Sequence, residues 1–182
     1  MYRRKRENKT NYLKRLKLLL SRKGRLVVRF TNKRVLAQLV EFTAKGDKVL
    51  VGVDSSTLRK HGWQYSCKNV PAAYLTGFMF GKKVAEKKYK GEMVFDTGFK
   101  SPLHKGKYYA FLKGVLDAGV AVPHSGKDLF PDDKKIQGAH IQDYAGKVKS
   151  DKVQFAQYLK SNAAPEKISS AFAQVKQKLS SK

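Results

Sequence analysis

Ala73, Gly77, Gly81 and Ala85 recur at a spacing of four, and no other feature of the chain narrows its fold as much. Residues four apart share one face of a helix, so this stretch presents a side almost without bulk, flanked by Tyr74, Phe78 and Met79. Glycine inside a soluble helix costs about 1 kcal/mol relative to alanine, a loss that close packing offsets. The spacing therefore predicts a helix whose backbone lies close against a sheet. Asn69 stands as its N-cap with Pro71 near the first helical position, and the helix runs to about Lys88. Small residues at this spacing also mark membrane helix pairs, but Lys82, Lys83, Lys87 and Lys88 argue against that. No run of about 18 apolar residues exists to span a bilayer.

The sheet is readable upstream. From Arg25 to Phe30 the pattern alternates, with Leu26, Val28 and Phe30 on one face and Arg25, Val27 and Arg29 on the other, as in a strand with a basic outer face. Thr31-Asn32-Lys33-Arg34 reads as a turn, Val35 to Thr43 as a second strand and Lys48 to Val53 as a third, after the Lys45-Gly46-Asp47 break. Downstream, Glu92 to Asp96 is a short strand and Lys107 to Ala118 a helix stopped by Gly119. Val120 to Val122, closed by Pro123, is a further strand. Beyond Pro131 the composition turns polar, and Gln154 to Lys160 and Pro165 to Leu179 read as short helices. The fold class is α/β: a mixed sheet with an antiparallel three-strand meander, helices packed on it, a basic N-terminal helix and a short helical C-terminal tail. Residues 1–24 form a basic N-terminal segment, 25–130 the α/β core domain and 131–182 a C-terminal extension.

A hydrophobic fraction of 41% supports such a core, yet 39 Lys and Arg face 14 Asp and Glu, a formal net charge of +25. Self-repulsion of that size opposes compaction unless a polyanion screens it. Eight of nine arginines (Arg3, Arg4, Arg6, Arg15, Arg22, Arg25, Arg29 and Arg34) fall within the first 34 residues. From Asn8 to Val40 there are ten basic residues, among them Lys9, Lys23 and Lys33, and no acidic one. Arginine's planar fork pairs with phosphate oxygens and stacks on bases, so its clustering marks a docking surface for nucleic acid. Tyr12, Leu13, Leu16 and Leu18 to Leu20 interleave with this charge at helical spacing, so Lys9 to Arg22 reads as an amphipathic helix, capped by Asn8 or Thr10 and stopped by Gly24, rather than a solvated tail. A second basic loop, Lys100 to Lys107 with His104 and Lys105, precedes a helix N-terminus, where backbone N–H groups favour phosphate. Trp63, Tyr65 and Tyr108 are candidates for stacking on an unpaired base.

Enzyme chemistry finds little support. His61, His104, His124 and His140 lack zinc-ligand spacing, and no nucleophile elbow, Walker loop or dinucleotide fingerprint is present. The best enzymatic alternative is a nuclease in which Asp54, Asp96 and Asp117 hold divalent metal, but such sites demand a denser acidic cluster. The single cysteine, Cys67, excludes an internal disulfide and suits a reducing compartment. The apolar stretch Leu18 to Leu20 is too short for a signal peptide, so the chain is expected to stay in the cytoplasm. No cofactor, metal, membrane or small-molecule substrate is expected.

The run Tyr2 to Tyr12 continuing through Arg15-Leu16-Lys17-Leu18-Leu19 resembles the N-terminus of the archaeal and eukaryotic form of ribosomal protein L-eighteen. So do Arg25 to Arg29 with Asn32-Lys33, Pro71 to Gly77, Gly114 to Gly119 with Val122-Pro123-His124, and Gly138-Ala139-His140-Ile141. The resemblance spans about residues 2 to 145, and five motifs in order make it specific. It implies a non-enzymatic constituent of the large subunit that binds 5S rRNA in the central protuberance. It further implies contacts with large-subunit rRNA and with the neighbouring 5S-binding ribosomal protein. Carried onto matching positions, the basic residues from Arg3 to Arg34 together with Asn32 would contact 5S rRNA, and Gly138 to Ile141, with His140, would lie near RNA. The compact chain resembles archaeal members more than the longer eukaryotic ones.

Overall fold

The computed structural model describes residues 1–126, 128–148, 155, 156, 158, 161 and 163–181. In chain order its elements are α1 (Arg3–Arg6), α2 (Tyr12–Leu20), β1 (Gly24–Phe30), β2 (Val35–Thr43), β3 (Gly46–Asp54), a 3-10 helix (Ser55–His61), α3 (Val70–Glu86), β4 (Met93–Asp96), α4 (Lys107–Asp117), α5 (Asp133–Gln137), α6 (Ala139–Lys147), a 3-10 turn (Pro165–Lys167) and α7 (Ile168–Ser180). Among the described residues, no helix is long and apolar enough to cross a membrane.

The four strands form one mixed sheet in the order β3-β2-β1-β4. β1 pairs antiparallel with β2, placing Arg25 opposite Val40 and Phe30 opposite Val35, and β2 pairs antiparallel with β3 across a bulge near Leu39. β4 lies parallel to β1, Arg25 opposite Val94, so α3 carries the chain from one edge of the sheet to the other. Period-two alternation directs Leu26, Val28, Val35, Ala37, Leu39, Val51 and Val53 into a single core. α3 crosses that face and is buried on nearly every side from Val70 to Gly81, as expected of a helix apolar all round. The Asn69 side chain accepts a hydrogen bond from the Ala72 N–H, and Pro71 sits in the first turn.

The close approach predicted by the small-residue spacing is present, but its partner is α4 and not the sheet. A Cβ on Gly77 would collide with the Phe111 carbonyl oxygen, and one on Gly114 with that of Tyr74. Gly81 faces the Ala118 Cβ, whereas Ala85 lies exposed off the contact. The sheet supplies β-branched and leucine side chains that stand up from the pleat. Only another helix carrying its own glycine lets backbone meet backbone.

Val120 to Val122 does not form the expected strand. Bounded by Gly119 and Pro123, these three residues are too few for a ladder, and Val122 plugs the core instead. α5 and α6 occupy a stretch whose polarity had marked it only as polar, and Ile136 anchors α5. α7 is no loose tail: Ile168, Phe172, Val175 and Leu179 are buried in the same core, with Phe172 tilted against Tyr74 at 5.5 Å between ring centroids. The helix read at Gln154 to Lys160 falls largely outside the described residues.

Candidate nucleic-acid interface

The sheet face away from α3 carries the N-terminal segment. The Asn11 side chain accepts a hydrogen bond from the Lys14 N–H and caps α2, so the helix starts at Tyr12 and ends at Leu20, about one and a half turns shorter than the expected Lys9-to-Arg22 helix. α2 is held with its polar side inward. Lys14 Nζ donates to Thr97 Oγ1 at 3.0 Å and to the Gly98 carbonyl at 3.1 Å. Arg15 makes two parallel 2.8 Å bonds to the Asp47 carboxylate, the fork geometry that makes arginine–carboxylate pairs strong. Leu13, Leu16 and Leu20 consequently point to solvent on the opposite side, and no residue of α2 is buried. The apolar stripe of the sequence is split, with Leu18 and Leu19 half-buried beside Lys14 and Arg15 and the other three leucines outside.

Beneath α2, Arg25 is 4% exposed, an unusual place for an arginine, and two carboxylates compensate it. Its Nη2 lies 2.6 Å from Asp47 Oδ2 and its Nη1 3.3 Å from Asp96 Oδ2. Arg29 adds a 2.8 Å bond to the Asp96 carbonyl and a longer contact to its carboxylate. Asp47 is held below the usual carboxylate range, chiefly by its hydrogen bond from Arg15 and then by Arg25, and Arg15 is raised by the same pairing. At the far end of β1 the Thr31 hydroxyl braces the Thr31–Arg34 turn, and Arg34 reaches Asp54 at 2.8 Å.

The predicted residues therefore sort into two groups. Arg15, Arg25, Arg29 and Arg34 are paired with carboxylates of this chain, and Lys23 is paired with Glu92. Arg3 and Lys9 share the exposed Glu7, while Arg4 donates to Thr10 Oγ1 at 2.8 Å. Arg6, Arg22, Asn32 and Lys33 are exposed, and none of the cations among them has a carboxylate partner among the described residues. Tyr2 stacks on Tyr12 at 5.0 Å, folding α1 back onto the start of α2.

The second basic region lies beside that turn. Lys100, Lys105 and Lys107 converge with Lys68 and Lys135 around a pocket of about 560 Å³ that also takes in Asn32. Burial, and then the proximity of Lys68, lowers the Lys107 pKa. His104 projects outward, its ring 6.1 Å from that of Tyr109. His140 lies in the first turn of α6, where desolvation and then Lys135 lower its pKa. Lys68 and Lys135 were not legible as partners of the 100–107 loop, since Lys68 lies 32 positions before it and Lys135 28 positions after it, and nothing local links the three segments. Two of the three stacking candidates prove to be core: Trp63 is 1% and Tyr65 6% exposed, edge-to-face with each other. Tyr108 is half-buried at the pocket, edge-on to Phe30 at 4.6 Å.

The three aspartates weighed for metal do not meet. Asp54 pairs with Arg34 and caps Ser56, Asp96 pairs with Arg25 and Arg29, and Asp117 accepts a 2.6 Å bond from the Tyr74 hydroxyl. Among the described residues no cluster of three or more metal-ligating side chains occurs. Cys67 is buried, its backbone bridging to Arg34.

A family model for ribosomal large subunit proteins 60S L5 and 50S L18 matches residues 1–94. Three archaeal relatives carry the name large ribosomal subunit protein uL18. That of Korarchaeum cryptofilum is 45% identical over 98% of this chain and 92% of its own length. That of Methanosphaera stadtmanae is 42% identical over the same shares of both chains. That of Methanothrix thermoacetophila is 50% identical over 80% of this chain and 85% of its own. An α/β body with a cationic rim and matches of this extent define a protein of the large ribosomal subunit. The chain belongs to the L18 family in its archaeal form.

Proposed function

We propose that this chain binds 5S rRNA and fixes it to the large-subunit rRNA in the central protuberance of the cytoplasmic ribosome, beside the neighbouring 5S-binding ribosomal protein. The observation that carries the reading is the division of its cations. Arg15 and Arg25 pin the N-terminal segment to the sheet through Asp47, while Arg3, Arg4, Arg6, Arg22 and Lys33 stay exposed. Preorganised guanidinium and ammonium groups meet a folded RNA's phosphates with little ordering cost. A-form RNA hides its bases in a deep, narrow major groove, so recognition through backbone and shape suits such groups. In this reading residues 1–24 are the principal RNA-binding segment, and Arg25 supports the surface from beneath instead of touching RNA.

A salt titration of the purified protein with a 5S rRNA transcript tests it. With some 6 to 10 phosphates contacted, affinity falls about 10³ to 10⁵ fold between roughly 50 and 200 mM salt. Replacing Arg3, Arg4 and Arg6 with alanine weakens binding while the circular dichroism spectrum stays unchanged. A flat titration, or bulk tRNA competing as well as 5S rRNA, would refute a dedicated 5S rRNA protein.

A further inference from the structure

We propose that the lysine-rimmed pocket between the Thr31–Asn32 turn, the start of α3 and the 100–107 loop is a binding site for an unpaired nucleotide of an RNA strand, its base on the apolar floor and its phosphates on the lysines. The inference rests on the RNA-binding reading above and adds to it a particular site and the form of RNA it takes.

The floor and the rim point to one ligand chemistry. Phe30, Val70 and Tyr108 form an apolar floor, with Leu103 projecting beside it. Tyr108 is fixed edge-on between Phe30 and Phe95, so its ring is a rigid platform and not a mobile side chain. Around this floor stand Lys68, Lys100, Lys105, Lys107 and Lys135, and no carboxylate lines the pocket. None of the five has an ion-pair partner among the described residues. Elsewhere this chain brings aspartates to its crowded cations, as Asp47 and Asp96 do for Arg25. Like charges gathered without counter-charge disfavour one another's charged forms, and Lys107 is lowered first by burial and then by its neighbour Lys68. A bound anion relieves the repulsion.

The loop is set in place beforehand. Lys105 adopts a left-handed backbone at φ 54° while its N–H donates to the Leu129 carbonyl at 2.9 Å, and its own carbonyl accepts from Lys135 Nζ at 3.1 Å. A pocket pinned from two sides loses little freedom on binding. Inorganic phosphate would leave the aromatic floor unused, and a paired RNA helix keeps its bases out of reach. An unpaired nucleotide presents a flat face for the floor together with phosphate on either side, the combination used by single-strand binding surfaces. Five lysines exceed what one phosphate needs and suit the successive phosphates of a strand. Asn32 at the pocket edge joins it to the exposed turn bearing Lys33, so the strand can continue along that turn.

The test uses the full-length protein, a 5S rRNA transcript and the double variant Lys100→Ala with Lys107→Ala, two exposed positions whose replacement leaves the fold intact by circular dichroism. Ultraviolet crosslinking of the wild-type complex followed by mass spectrometry is expected to join a single unpaired nucleotide to Phe30, Tyr108 or a residue of the 100–107 loop. The double variant is expected to bind at least about tenfold more weakly and to lower the log–log salt slope by about 1 to 2, since each lost phosphate contact removes somewhat less than one. Uridine monophosphate at about 1 mM, far below strand-level affinity, is expected to leave the crosslink unchanged. Wild-type binding with crosslinks only elsewhere and an unaltered variant overturns the pocket while sparing the function proposed above. Loss of the crosslink to the mononucleotide overturns the strand assignment in favour of a free-nucleotide site. Failure of the wild type to bind the transcript at all sinks both.

Discussion

The arginine-rich end and the lysine pocket look alike in the sequence, as basic runs, and are opposites in the structure. At the first, Arg15, Arg25, Arg29 and Arg34 meet Asp47, Asp96 and Asp54, so much of the densest positive stretch is neutralised from within. At the second, five lysines meet no carboxylate. Counting charges along a chain therefore misjudges where an anion will bind. What matters is which cations the fold leaves without a partner, and in this molecule the interior pairs hold the scaffold while the unpaired groups face outward.

Breaking the buried half of that contrast has the largest expected effect. Asp96→Ala removes a carboxylate 7% exposed from Arg25 and Arg29 and leaves a guanidinium 5% exposed with only Asp47. A buried charge stripped of a partner destabilises by about 3 kcal/mol, read as a lower denaturant midpoint with an unchanged slope. Acid sharpens the same comparison. Because Asp47 titrates below its unfolded value, its contribution is complete above about pH 4, the unfolded carboxylate range, and is lost as pH falls through the folded value. The wild-type melting temperature should then drop more steeply below pH 4 than that of Asp47→Asn, and parallel curves would remove Asp47 from the account. The smallest effect belongs to Asp54→Asn, which keeps the acceptor that caps Ser56 and removes only the charge facing the half-exposed Arg34. Such a pair contributes less than about 1 kcal/mol, so stability should hardly move, while RNA affinity rises slightly as Arg34 becomes free.

Much of the fold could be read from local pattern because local physics decides it. β2 begins and ends where alternation placed it, and Asn69 caps α3 as its position before Pro71 required. The misreadings lie where distant segments decide. The glycine spacing showed that a backbone would approach α3, yet Gly114 in α4, thirty-seven positions from Gly77, determines which one. Arg25 read as an outward cation because its partners come from β3 and β4, far along the chain. The candidate site was legible in its basic runs, the parts that are contiguous, and not in Lys68 and Lys135, which only folding brings to the 100–107 loop. α5 and α6 escaped notice because their buried surface is little more than Ile136 and Ala145, too few apolar positions to show a period.

The seating of α2 has one more outcome. A helix attached through Lys14 and Arg15, with Leu13, Leu16 and Leu20 turned outward, is fastened by charged side chains more than by oil-like adhesion. Such a fastening loosens as electrolyte concentration climbs while the core beneath stays shut. Salt thus acts on this molecule twice, once by crowding counterions around the RNA and once by slackening the arm that reaches for it.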